Sequence, residues 1–546
     1  MDSLEEYEPH VTQELIDRGH ARRMGHLENY FAVLRRQNMY SNFTVYGELN
    51  KAVSKRQLRL ALRLLLLKYP ILSHTIVPKK YPEHEAYYLS QEYLNKPFPQ
   101  HDFIKVISHL ELDDVIMNNQ SEYKEVISKV SEQFKKDNFK VTSSLIELIT
   151  PIIVPICDPE RPNWRLICLP STDTTSADEA WTNFVYVSNH CGSDGISGTN
   201  FFQDLTALLS TIEEKGFDYE EEIVDNNVII DYNEDHNEVS KFPIPITDRI
   251  DYRPSLTSLP KFFLKNILAE YCEFRTSNEL TVTSRYTSSP NANASFNHLL
   301  HFSANDTQQI RSEIKKNVHA GCTITPFIQA CFFVALYRHD KVFTKSLLEY
   351  GFDVALPSST RRFLPKDEEL RDTYKYGSNV GGSHYTYLIS SFDVPEGDTN
   401  KFWRLVEYYH DCFLKSYDNG DHLIGLGTLQ LDFIVQNKNV DDMISTSYLD
   451  HQRGGAIISN TGFVRQDTTK PYYARDLIFS QSAGALRFAF GLNVCSTNVA
   501  GMNMDMSVVQ GTLRDRGEWE SFCDVFYHAI GEFASLGCDT AVAGLV

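Results

Sequence analysis

The chain is short of several things, and each shortage excludes something. No apolar run approaches the ~20 residues a membrane-spanning helix requires. The densest, Leu64 to Leu67, sits among Arg59, Arg63 and Lys68. Cysteine is sparse: ten are scattered over 546 residues, with no C-x-x-C pair and no zinc-like spacing, so no metal centre is expected. The acidic opening, Met1 to Glu8, is followed by no apolar stretch of signal-peptide type. Free thiols in a reducing, intracellular compartment are the expectation. Positive charge is also in deficit. Lys plus Arg is 52 against 72 for Asp plus Glu, a formal net charge of −20. Such a field repels phosphate backbones, so nucleic acid is a poor partner. The sequence has no G-x-S-x-G elbow, no H-E-x-x-H and no P-loop, which removes three common catalytic frameworks.

What is present is material for large cores. Apolar residues make up 42% and aromatic residues 12%. The length exceeds the roughly 250–300 residues at which one core stops growing, so two domains are expected. The chain opens β, α, β. Asn42 to Leu49 is β-branched and aromatic, Lys51 to Tyr69 is rich in Leu, Arg and Lys, and Pro70 to Val77 returns to strand character. Residues 122–138 read as a polar helix and Ala180 to Ser188 as a strand. Gly195 to Thr211 reads as a loop and then a helix carrying Phe201, Phe202, Leu205, Leu208 and Leu209. From about 212 to 295 the chain turns acidic, Asn-rich and then Pro-rich, a linker signature with one helix at 260–273. The second half restarts with a strand at Leu299 to Ser303. Helices follow at Asp306 to Asn317, capped by Ser303 or Asn305, and at Thr325 to Tyr337, then a strand at Gly351 to Leu356. The expected division is 1–215, a linker at 216–295, and 296–546.

The informative stretch is Ser188-Asn-His-Cys-Gly-Ser-Asp-Gly-Ile-Ser-Gly198, which contains His190-x-x-x-Asp194-Gly195. Chance alone supplies that spacing, and does so at His109-Leu-Glu-Leu-Asp113. Context separates the two. His190 ends an apolar strand and enters a loop holding Gly192, Gly195 and Gly198, residues that let backbone pass close to a ligand. Functional groups concentrate on such loops. A neutral imidazole, with an ordinary pKa of about 6.5, accepts a proton at cytosolic pH. The bland reading is a buried histidine bonded to backbone, with Asp194 capping a turn. Cys191 as a thiol nucleophile is disfavoured, because neighbours on a strand point to opposite faces.

These residues resemble the fungal alcohol O-acetyltransferases, within the CoA-dependent acyltransferases that share an H-x-x-x-D motif with chloramphenicol acetyltransferase and condensation domains. The similarity extends to Gly19-His-Ala-Arg-Arg-Met-Gly25, Tyr30-Phe31, Ala61 to Leu72, Arg361-Arg362, Tyr376-Gly-Ser-Asn-Val-Gly381 and Ser459-Asn-Thr-Gly462. The resemblance implies an α/β fold of two chloramphenicol-acetyltransferase-like domains with a tunnel between them. It implies His190 as general base and Asp194 as a structural residue paired with Arg361 or Arg362. Gly195 N–H would be an oxyanion donor. Acetyl-CoA would be a co-substrate, with no permanently bound cofactor and no metal, and a small alcohol would become an acetate ester. The D-F-G-W-G block of the plant relatives is absent. The alternatives are N-acetylation of a lipid amine such as a sphingoid base, or an inactive lipid-surface protein of the same fold.

Two segments are amphipathic. Trp519, Phe522, Phe526, Ile530 and Phe533 recur at helical spacing. Near the other end Arg18, Arg22, Arg23, Arg35 and Arg36 flank Met24, Leu27, Tyr30, Phe31 and Leu34. Each stripe is either a packed helix or a lipid-surface helix. The resemblance implies peripheral placement on the cytoplasmic face of the endoplasmic reticulum or on a lipid droplet; a monomer is expected.

Overall fold

The computed structural model describes residues 9–36, 39–78, 102–170, 180–216, 227–251, 275–276, 294–319, 321–339, 350–420, 422–423, 455–482 and 488–536, with Leu4, Tyr7 and Gly427. Two sheets organise them. The first runs Ala474–Gln481, Phe43–Ser54, Ala180–Ser188, Trp164–Leu169, antiparallel throughout. Its side chains alternate between two cores. Val45, Phe184, Tyr186 and Leu166 pack with the helices Lys55–Lys68 and Gly195–Lys215. Tyr46, Val185, Val187 and Ile167 pack under the helices Lys124–Lys136 and Ser143–Ile149. Burial on both faces explains why Phe184-Val-Tyr-Val187 has no polar alternation.

The second sheet runs Ser295–Phe302, Gly501–Val509, Phe490–Thr497, Ala456–Val464, Tyr350–Ser359, Val380–Leu388, with Arg275–Thr276 pairing to Tyr350–Ser359. Its central pairings, Tyr350–Ser359 with Ala456–Val464 and Ala456–Val464 with Phe490–Thr497, are parallel. The helices Ala304–Asn317, Ile324–His339, Thr399–Asp418 and Arg516–Ala534 close one face. Ile324–His339 is apolar almost all round because helices and sheet enclose it. The mixed α/β architecture and its two-part arrangement agree with the expectation.

Several details differ from the sequence reading. The strand from Phe43 continues to Ser54, and the helix expected from Lys51 starts at Lys55. A capping box decides this: Ser54 Oγ accepts from Gln57 N–H, and the Gln57 side chain accepts from Ser54 N–H. Pro70–Leu72 is a 3-10 turn, so the next strand begins only at His74. The helix at 195 has no preceding loop segment of its own; Gly195 is its first residue. The stretch 216–295 is not linker throughout. Val228–Asp231 pairs with His109–Glu111, Asp235 is bonded by Arg63 at 2.6 Å, and Ile246 packs beside Leu27 and Tyr374. Three apolar residues, Val228-Ile-Ile230, inside an acidic run are enough to dock it. The helix expected at 260–273 lies outside the described residues. Finally, Ala474–Gln481 belongs by order to 296–546 yet hydrogen-bonds within the first sheet. The chain crosses back, so sequence halves and spatial halves do not coincide.

Both amphipathic stripes face inward. Trp519, Phe522, Phe526, Ile530 and Phe533 are all buried, and the rings of Phe533 and Phe402 lie parallel at 3.6 Å. Met24, Leu27, Tyr30 and Leu34 are buried as well. Among the described residues no helix is long and apolar enough to cross a membrane.

Candidate active site

His190 stands where the strand Ala180–Ser188 leaves the first sheet. The loop that carries it is fixed from both sides. Asn189 Oδ1 accepts from Cys191 N–H at 3.0 Å, and Tyr186 Oη meets Ser193 Oγ at 3.3 Å. Gly192 is required by a close approach: a Cβ there would lie 2.1 Å from the His74 ring. His74 is itself held by Ile71 O and Asn163 Nδ2. Three aromatic rings enclose the imidazole. Phe31 stacks on it at 4.5 Å, while Phe43 and Tyr40 tilt against it at 5.0 and 5.2 Å. Burial among them lowers its pKa to about 4, although the Asp194 charge and the Ser193 backbone oppose the shift. The ring is therefore neutral at physiological pH. Its Nδ1 is buried without a well-aligned hydrogen bond.

Asp194 does two things with one carboxylate. It caps the helix Gly195–Lys215, Oδ1 accepting from Ser197 N–H at 2.8 Å. It also receives a bidentate ion pair from Arg361, with Nη1 to Oδ2 at 2.8 Å and Nη2 to Oδ1 at 3.1 Å. Ser197 Oγ at 2.9 Å and Asn379 N–H at 3.0 Å add two further donors. Burial works against the charge, but Arg361 and these N–H groups outweigh it and hold the carboxyl below its usual range. Arg361 follows the strand Tyr350–Ser359 of the second sheet. The pair thus ties the histidine loop to the other half of the molecule. The rest of the guanidinium donates to Tyr374 O, Lys375 O and Ser197 Oγ. Of the two arginines named from sequence, Arg361 alone reaches Asp194. Arg362 lies over the Tyr417 ring at 3.4 Å.

Between the sheets, beside His190, lies a cavity of about 190 Å³. Phe31, Tyr40, His190 and Gly195 line it from the first half, with Ser359, Asn379, Gly381, Ser459 and Asn460 from the second. The blocks 376–381 and 459–462, unremarkable one by one, converge here. Gly195 opens the capped helix, so its N–H is a first-turn donor without an intrahelical acceptor. A Cβ on it would meet Phe479 Cζ and Thr461 Cγ2, both at 2.9 Å. The rings of Tyr40 and Phe43, and the supports Asn163, Ser197 and Asn379 N–H, were not singled out from sequence. Their only signal is spatial. Cys191, adjacent to the histidine, is buried, and burial pushes its thiol up to about 12, which leaves no thiolate for a nucleophilic role.

The chain matches the alcohol acetyltransferase family over residues 23–530. It is 75% identical over 536 residues to Alcohol O-acetyltransferase 2 of Saccharomyces cerevisiae, covering 98% of this chain and 100% of that protein. It is 37% identical to Alcohol O-acetyltransferase 1 of the same yeast, covering 94% and 95%. In fold it is similar to the trichothecene 15-O-acetyltransferase of Fusarium sporotrichioides, with a TM-score of 0.61 at 13% identity over 94% of this chain and 95% of that one. The first condensation domain of the calcium-dependent antibiotic synthetase is also similar, with a TM-score of 0.55 at 11% identity over 96% and 99%. With a match across nearly its whole length, a caged neutral histidine and a helix start braced by a buried ion pair, the chain belongs to the alcohol acetyltransferase family.

Proposed function

We propose that the protein transfers an acetyl group from acetyl-CoA to a small alcohol, with His190 as general base. The observation that carries this is the uncharged imidazole facing a narrow cavity that the first residue of the capped helix, Gly195, also lines. The alcohol O–H donates to His190 Nε2, since Nδ1 is sealed in protein. As the oxygen attacks the thioester carbonyl, its proton passes to the ring, whose low proton affinity keeps it in the base form beforehand. The carbonyl oxygen becomes an oxyanion, and Gly195 N–H, at the positive end of the helix, is the donor we assign to it. Collapse breaks the C–S bond. The CoA thiolate leaves and takes the proton back from His190, and the ester departs with no covalent enzyme intermediate.

Asp194 acts through Arg361 and the helix cap, holding the loop rather than touching substrate. Among the described lining residues Asp194 is the only carboxylate, and Arg361 already occupies it. A lipid ammonium finds no counter-charge there, which favours an alcohol over a sphingoid base. Peripheral placement at the endoplasmic reticulum or a lipid droplet enters this proposal from the resemblance alone, because the core occupies both apolar stripes.

The test is purified protein with acetyl-CoA and a panel of ethanol, isoamyl alcohol, a sterol and a sphingoid base. Thiol release matched by ester from a small alcohol is expected. Thiol release independent of any alcohol, or amide as the main product, would sink the proposal.

A further inference from the structure

The Nδ1 of His190 is buried without a well-aligned hydrogen bond, so the direction of the ring is left to the packing of Phe31, Tyr40 and Phe43. Tyr40 is the one ring of the three with a polar atom, and that atom is tied. Its Oη–H donates to Gln481 Oε1 at 3.3 Å. Gln481 ends the strand Ala474–Gln481 and lies opposite Phe43, which in turn lies opposite Ser188. It lines the same cavity as His190. Its Nε2 donates to Asn493 Oδ1 at 2.7 Å, and Asn493 turns Nδ2 toward Asp505 Oδ2, 3.5 Å away. Asp505 is fully buried and is fixed by Ser480 Oγ at 2.6 Å and Asn297 Nδ2 at 3.0 Å. Two further bonds stitch the Tyr40 loop to the same strand end. Ser41 N–H donates to Ser482 Oγ at 3.2 Å, and Ser482 N–H donates to Asn42 O at 2.8 Å.

This chain of bonds has a direction, and Asp505 sets it. An amide can be turned either way round, but a carboxylate only accepts. Asn493 must therefore point Nδ2 at Asp505 and Oδ1 at Gln481. Gln481 must answer with Nε2, which leaves Oε1 for Tyr40, and Tyr40 must donate. Burial pushes the Tyr40 phenol well above its usual range, so it keeps the proton this requires. Burial also pushes the Asp505 carboxyl up to about 7, against its own hydrogen bonds. A protonated acid still offers an acceptor oxygen, so the direction holds on either side of that value. From this geometry we infer that Gln481 is a positioning residue for His190: oriented by Asp505 through Asn493, it holds the Tyr40 ring against the imidazole and keeps water off it. The inference rests on His190 being the base, and it names what keeps that base dry and aimed.

The experiment compares the wild type with Tyr40→Phe, Gln481→Met, the double variant and Asn503→Ala. Tyr40→Phe keeps the ring and Gln481→Met keeps the length, so each removes the tether without opening a large void. Asn503 bonds Asp476 Oδ1 at 2.6 Å and Leu477 O at 3.0 Å. It joins the two sheets beside the chain without belonging to it, so its variant is the control for a loosened junction. NMR of the His190 imidazole, assigned by the signal that His190→Ala lacks, is followed between about pH 5 and 7.5. The ring should stay uncharged throughout in the wild type and in Asn503→Ala, even where the latter has a lower thermal midpoint. In both tether variants water reaches the ring, and its titration midpoint should climb from about 4 toward about 6.5. Their kcat should fall about three- to tenfold, the worth of one hydrogen bond. The KM for acetyl-CoA should move by less than about twofold. The double variant should lose no more than the worse single one, since both remove the same bond. An unshifted His190 midpoint in the tether variants overturns the inference, as does an equal shift in Asn503→Ala or losses that add in the double variant. A shifted midpoint with unchanged turnover upholds the tether and removes His190 as the base, so the two proposals fail separately.

Discussion

The chain contains two H-x-x-x-D segments, and their environments are opposite. His109 lies on a three-residue strand with its side chain about half exposed, 3.6 Å from Glu111 and 3.7 Å from Asp231. Asp113 is spent on Lys55, Asn119 and Asn227. His190 lies at the end of a strand buried on both faces and is enclosed by Phe31, Tyr40 and Phe43. Asp194 starts a 21-residue helix and binds Arg361. The same spacing thus yields a solvated surface histidine in one place and a desolvated, ring-enclosed one in the other. Four residues of separation set only a short loop. What differs is whether that loop connects a core strand to a core helix.

The largest expected difference is in turnover. His190→Ala should lower kcat by about 10²–10⁴-fold, the usual worth of a positioned base, with its thermal midpoint retained. His109→Ala should stay within about twofold, as surface changes generally do. Comparable turnover in the two variants would erase the distinction between the segments.

Next comes the aspartate. Asn caps a helix about as well as Asp, so Asp194→Asn spares the cap and removes the charge facing Arg361. A buried arginine left unpaired costs about 3–5 kcal/mol, so the thermal midpoint and the activity should fall together. Asp113→Asn, at a half-exposed site, should cost under about 1 kcal/mol. Activity lost at an unchanged midpoint for Asp194→Asn would make Asp194 a participant in chemistry rather than a brace.

Gly195→Ala is smaller and tests the packing of the helix start. Alanine in a helix normally gains about 1 kcal/mol over glycine. Here its Cβ meets Phe479 and Thr461 at 2.9 Å, and overpacking typically costs about 1–3 kcal/mol. Net destabilisation with reduced kcat is expected; a stabilised and fully active variant would show that the helix start has room to spare.

The mildest effect is on pH dependence. Burial lowers the His190 pKa to about 4 from an ordinary 6.5. In that interval the unfolded chain binds a proton that the folded one does not. Stability from the neutral ring is therefore complete above about pH 6.5 and is lost as pH falls toward 4. The free-enzyme kcat/KM profile should stay flat from neutrality down to about pH 5 and bend only near 4. An acid limb centred near 6.5 would mean that the His190 ring is solvated rather than enclosed.

Some of this was legible in advance. The strand at 180–188 is legible to its last residue because Phe184-Val-Tyr-Val187 has no polar interruption. The Gly-rich loop pointed to His190, and Asp194 with an arginine was expected. Boundaries set by single side-chain bonds were missed, such as the Ser54–Gln57 box that moves a helix start by four residues. The docking of Val228–Asp231 was hidden because acidic flanks mask a short apolar core in any composition window. The aromatic cage was hidden for another reason: Phe31, Tyr40 and Phe43 lie about 150 residues from His190, and no local period links them.

By itself the sequence determined the classes of chemistry available, the two-part α/β character and the strand-end histidine that is the candidate base. Periodicity, glycine placement and the absence of competing motifs are local properties, and they survive without coordinates. Tertiary structure alone decided which of two adjacent arginines meets Asp194 and whether the Trp519 stripe faces lipid or core. It also decided that Ala474–Gln481 returns to the first sheet and that Tyr40, Gln481, Asn493 and Asp505 join in one chain. Each of these depends on which distant segments share a surface. Long-range packing is set by the total buried area of the whole chain, and no window of sequence contains that quantity.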